Sequence, residues 1–149
     1  MQGTSAKFFK MKNFLRITLG AFTILAGIGH LTYARETFQA QVPDWIPFSK
    51  DFVVLASGVV EILFGLAMIF LKKYRMHVGF ALAVFYILVF PGNIAQYTEH
   101  RDGFGLNTDS KRLIRLFFQP VLIFIALYST DAFQLFKRKE NQKTLLGKF

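Results

Sequence analysis

The chain has no cysteine, which removes disulfides, thiolate nucleophiles, cysteine-bound zinc and cysteine-held iron–sulfur clusters together. Any thiol or redox chemistry has to come from a partner or a bound cofactor. Acids are scarce as well: 9 Asp and Glu stand against 18 Lys and Arg, a formal charge of +9. The sequence holds no Gly-rich phosphate loop, nucleophile triad, haem-attachment motif or nucleotide fingerprint. One His and one Glu inside apolar segments are too few for a metal site.

What is abundant is apolar length. Of 149 residues, 53% are hydrophobic and 17% aromatic, and the mean hydropathy of +0.37 is high for one soluble domain. Ile17 to Ala34 lies between Arg16 and Arg35 and carries His30 as its one basic member. Phe52 to Leu71 holds a single acid, Glu61, and Met76 to Thr98 holds no acid, Lys or Arg. Leu113 to Phe136 carries Arg115 and Asp131 near its ends. A hydrocarbon core of about 30 Å needs about 20 helical residues, so all four segments can span. The reading is an all-α integral membrane four-helix bundle, with spans at about 14–34, 52–71, 76–98 and 113–136. Residues 1–13 form a cytoplasmic N-terminus and 137–149 a basic cytoplasmic tail. A cleaved signal peptide is disfavoured, because Leu31-Thr32-Tyr33-Ala34 is a poor cleavage site and three spans would remain. Met11-Lys12-Asn13 reads as a natural start, which would make the first ten residues dispensable.

The charges fall by side. Twelve Lys and Arg lie in the N-terminus, the second connection and the tail; six lie in the first and third connections with most of the acids. The positive-inside rule then gives an N-in/C-in topology. The charge excess is topological and draws anionic membrane lipid rather than nucleic acid.

Each span offers one stripe of small or polar residues to its neighbours: Gly20, Thr23, Gly27 and His30; Ser57, Gly58, Glu61 and Gly65; Gly79, Ala83, Tyr86 and Asn93; Arg115, Gln119, Leu122 and Ala126. With alternating directions, His30, Ser57, Glu61, Asn93, Gln96, Arg115 and Gln119 converge in the outer half of the bundle. An acid well inside a span is costly unless paired, protonated or hydrated, so Glu61 is the leading candidate, with His30 as its proton relay. Depth and stripe predict that Glu61 and Arg115 are close, with His30 and Gln119 in the same cluster. No comparable set is expected in the inner half. Pro91 and Pro120 free the carbonyls of Ile87 and Leu116. Pro43-Asp44-Trp45-Ile46-Pro47, in the first connection, is too rigid and aromatic for a free linker and reads as a cap at headgroup level.

Five pieces resemble the DoxX family of small four-span bacterial membrane proteins: Gly27-Ile28-Gly29-His30, Val42-Pro43-Asp44-Trp45-Ile46-Pro47, Ser57 to Gly65, Phe90-Pro91-Gly92-Asn93-Ile94 and Arg115-Leu116-Phe117-Phe118-Gln119. Gly92 stands where that pattern leads one to expect Ala, and Phe117 where it leads one to expect Pro. The resemblance implies a multi-pass protein of the bacterial cytoplasmic (inner) membrane that works beside a redox enzyme or maturation partner. It would be a non-enzymatic subunit or assembly factor, with a small lipid-like or quinone-like molecule under the outer cap. The other class is an enzyme or carrier that uses Glu61 as acid or base, by analogy with four-span isomerase-like bundles. The sequence identifies no cofactor and leaves ligand, partner and oligomeric state open.

Overall fold

The structure, a computed structural model, describes residues 2–137, so the predicted tail falls outside it except for Lys137. Among the described residues all regular structure is helical. Helix α1 runs over Gln2–Leu31, and a short α2, Arg35–Phe38, leads into a 3-10 turn at Gln39–Gln41. Helix α3 is Lys50–Phe70, α4 is Arg75–Thr98 and α5 is Asp109–Ser129. The four long helices are each long and apolar enough to cross a membrane, which makes the chain a multi-pass membrane protein.

Local chemistry sets the boundaries. The Ser49 hydroxyl accepts from the Phe52 amide at 3.2 Å and starts α3, with Asp51 favourably placed in its first turn. Thr108 does the same for α5, accepting from the Lys111 amide at 3.4 Å. Helix α5 ends at Ser129, short of the 136 expected from hydropathy, because Asp131 takes a positive φ of 62° and turns the chain. Its carboxylate is drawn to Lys12 at 2.5 Å and Arg75 at 2.9 Å. Helix resumes only at 133–137. The first span likewise differs from 14–34: α1 begins well before it and stops at Leu31, where the Ala34 amide bonds back to the Gly29 carbonyl.

Helices α1 and α3 meet backbone to backbone. A Cβ on Gly27 would stand 2.6 Å from the Gly58 carbonyl oxygen, and one on Gly65 2.6 Å from that of Gly20. Pairing Gly20 with Gly65 and Gly27 with Gly58 makes the two helices antiparallel. Contacts from Gly79 to Thr130 and from Tyr86 to Gln119 make α4 and α5 antiparallel too. Helix α5 returns beside α1, with Phe22 edge-on to Phe118, and α3 touches α4 at Phe64 and Phe85. This leaves α1 and α3 each flanked by one member of the α4–α5 pair, with α3 and α5 on a diagonal. Leu19, Met68, Leu82, Ala83, Tyr86, Leu122 and Ala126 fill one half of the bundle. Phe14, Leu25, Leu63, Leu88, Ile114 and Phe117 point outward, as lipid-facing residues do.

Candidate functional site

The other half of the bundle is hollow. A cavity of about 320 Å³ lies there, walled by α1, α3, α4, α5 and the connection that follows α1. Of the seven residues read from the sequence, His30, Ser57, Glu61, Asn93, Arg115 and Gln119 line it. Gln96 does not: it sits fully buried alongside, accepting from the Gln41 side chain at 3.0 Å.

Glu61 and His30 form the centre of the site. The imidazole Nδ1 is 2.7 Å from a carboxylate oxygen of Glu61, and each residue is only 8% exposed. The approach is out of line for a hydrogen bond, so both atoms are buried without a hydrogen-bonding partner among the described residues. Phe38, from the connection that follows α1, lies against the imidazole with ring centroids 3.5 Å apart. The direct contact expected between Glu61 and Arg115 is not made; His30 takes that place. The reason is packing: the Gly27–Gly58 contact brings His30 within one turn of Glu61, whereas α5 faces α3 across the diagonal. Arg115 instead donates weakly to the Gln119 side-chain oxygen at 3.5 Å and meets Glu61 only through space. Gln119 in turn donates to the Tyr86 carbonyl at 2.8 Å, next to the Ile87 carbonyl that Pro91 frees.

Tyr86 and Thr23 bridge α4 and α1 with hydroxyl oxygens 2.7 Å apart and also face the cavity. Both lay on the interior stripes of the sequence but had no charge to single them out. Asn93 Oδ1 and Gln96 Nε2 are buried without a hydrogen-bonding partner among the described residues. Such atoms call for water or a ligand.

The connection between α1 and α3 supplies wall residues that no periodicity could locate: Phe38, Gln41, Val42, Pro43, Trp45 and Ile46. Its anchor is Gly92, where a Cβ would stand 2.1 Å from the Gln41 carbonyl oxygen. This glycine is the point where the connection crosses α4. Ion pairs secure the segment further: Arg35 to Asp51, Lys50 to Asp44 at 2.7 Å, and Arg101 to Asp44 at 2.7 Å. Arg101 also donates to the Val42 carbonyl at 2.7 Å. The hydrogen bond from Lys50 above all, aided by the charges of Arg101 and Lys50 against desolvation, holds the Asp44 carboxyl below the usual carboxylate range.

The opposite end is less bare than the sequence suggests. Arg16, 2% exposed, donates to the Met68 and Ile69 carbonyls at the end of α3 and to Asn13 at 2.7 Å. An arginine is well suited to the unsatisfied carbonyls of a helix C-terminus, and here it replaces a glycine cap. Lys12, Arg75 and Asp131 close the same end. Among the described residues no three His, Asp or Glu group as a metal site would.

No curated protein and no solved structure matches the chain. Residues 19–130, which include the second part of α1, all of α3, α4 and α5 and every polar residue of the cavity, match the family described as "Domain of unknown function (DUF8561)", and the chain belongs to that family.

Proposed function

We propose that this chain is a DoxX-like subunit or assembly factor of a bacterial inner-membrane redox system, binding a small lipid-like or quinone-like molecule in the cavity. The carrying observation is the cavity itself: about 320 Å³, apolar on most of its walls, with the His30–Glu61 pair, Arg115, Asn93 and Gln119 gathered inside it. That volume is at the small end of ligand pockets, which run from about 300 to 1,000 Å³. The donors on Arg115 and Gln119 suit a carbonyl-bearing or acidic head. With both termini in the cytoplasm, as the distribution of Lys and Arg supports, the cavity opens in the outer half and the 35–49 connection caps it. Trp45, 73% exposed, then lies at headgroup level.

The test is retention. Wild-type protein purified in mild detergent is expected to carry an organic molecule of this class by native mass spectrometry. Ala26→Phe, which fills the wall of the cavity, should fold and carry none. An empty wild-type cavity would remove the reading. A second reading, an enzyme or carrier using Glu61 as acid or base with His30, is favoured by one fact: the pair faces the cavity. A retained ligand in a bundle that has no stable protein partner would shift weight to it.

A further inference from the structure

Arg115 is the one cavity-lining side chain with a permanent charge and no direct counter-charge. Among the described residues no carboxylate approaches its guanidinium within 4.0 Å, and its single hydrogen bond, to Gln119, is 3.5 Å long. The through-space charge acting on it is Glu61, whose carboxylate is already engaged by His30 at 2.7 Å. A cation so placed in a low-dielectric wall is stabilised by an oxyanion that enters with the ligand. Asn93, 4% exposed and in the wall of the same cavity, has a buried Oδ1 with no donor among the described residues.

Size adds a constraint. At about 30 Å³ per water-sized group, a cavity of about 320 Å³ holds about ten such groups, a headgroup and only part of a longer chain. The remainder must leave, and the wall shows where. Leu88 lines the cavity and is also 71% exposed on the outer face of α4, and half-buried Val53 of α3 and exposed Trp45 belong to the same wall.

We propose, resting on the binding role above, that the ligand is a single-chain acidic amphiphile whose head bears an oxyanion for Arg115 and a hydroxyl for Asn93, with its tail passing into lipid beside Leu88. The oxyanion is a carboxylate or a phosphate; both offer the same fork-to-oxygen pairing to a guanidinium. Its attraction to the bundle does not depend on redox activity of the molecule.

Four probes with matched ten-carbon tails separate the terms: 3-hydroxydecanoate, decanoate, decanol and decylubiquinone, each titrated against detergent-purified full-length protein by native mass spectrometry and thermal shift. A decyl phosphate titration distinguishes the two oxyanions. Expected is tighter binding of decanoate than of decanol by at least about tenfold, the worth of a charge-assisted hydrogen bond. 3-Hydroxydecanoate should bind tighter again. Arg115→Gln should bring decanoate down to the level of decanol, Arg115→Lys should keep most of the preference, and Asn93→Leu should erase only the advantage of the hydroxyl. Equal binding of decanoate, decanol and decylubiquinone by the wild type, or an Arg115→Gln protein that keeps the acid preference, would overturn the acidic head while leaving a binding role intact. Binding of none of the probes would overturn both. The wild-type comparison decides even if the glutamine variant does not fold.

Discussion

Glu61 shows how a single intramembrane acid is made tolerable. Its partner is the histidine one helix away, and the consequence can be measured with two double-mutant cycles on purified bundle. Removing one member of a buried pair costs about 3–5 kcal/mol, whereas replacing both with apolar groups is often nearly neutral. His30→Leu and Glu61→Leu should therefore each lower unfolding stability in detergent, and the double variant should recover much of the loss. The same cycle between Glu61 and Arg115 should show a clearly smaller coupling, because their interaction is only through space. Comparable coupling in both cycles would contradict the pairing described. Gly92 is a second residue-scale case. The Gln41 carbonyl occupies the place of its missing Cβ, so Gly92→Ala should cost about 1–3 kcal/mol through overpacking and should expose the connection to proteolysis near residue 41.

The elements are held by two different devices. Between α1 and α3 the device is absence of side chain, and a local comparison isolates it. Gly27→Ala forces a methyl against the Gly58 carbonyl, while a methyl on Gly29, two positions on in the same helix, meets only side chains, the tightest being the tip of the exposed Tyr33 at 3.3 Å, which can move aside by the few tenths of an ångström required. Alanine favours a helix over glycine by about 1 kcal/mol, so Gly29→Ala should be neutral or stabilising and Gly27→Ala destabilising in thermal unfolding. Equal effects would mean that the close approach is not real. At the far end the device is charge: Asp131 ties the end of α5 to Lys12 of α1 and Arg75 of α4. Burial pushes its carboxyl up, but the hydrogen bond and charge of Lys12, with those of Arg75, outweigh burial and hold it below the ordinary value. A lowered folded-state pKa contributes stability above the unfolded value, about 3.9, and loses it as pH falls through the folded value. Stability from this latch should thus be flat from neutral pH to about 5 and fall below about 4. Asp131→Asn should be less stable at pH 7 and should show a smaller acid loss; an unchanged acid profile would assign the loss to other carboxylates.

At the scale of the molecule the bundle is divided into a filled half and a hollow half, and the proposed orientation turns the hollow half outward. Alkaline phosphatase, active only outside the cytoplasm, should be inactive when fused after Phe136 and active when inserted between Asp102 and Thr108. The reverse pattern would invert the topology and place the cavity toward the cytoplasm without changing its chemistry.

Composition and apolar length alone fix the four crossing helices, since a lipid interior demands about 20 predominantly apolar residues and internally bonded backbone wherever the chain passes. The stripes containing His30, Glu61, Asn93, Arg115 and Gln119 were legible for the same reason: a 3.6-residue period assigns each side chain to a face. Which of those residues touch was not legible. Face and depth leave Glu61 free to meet either His30 or Arg115, and only the lateral order of the helices, set by the Gly27–Gly58 contact, chose His30. Pro43 to Pro47 stood out by its rigid, aromatic composition, but the wall contributed by Phe38 and Gln41, the crossing at Gly92 and the burial of Arg16 against the end of α3 likewise have no periodic signature. They arise where a connection or a helix end meets a distant backbone carbonyl, and that meeting exists only once the bundle has closed.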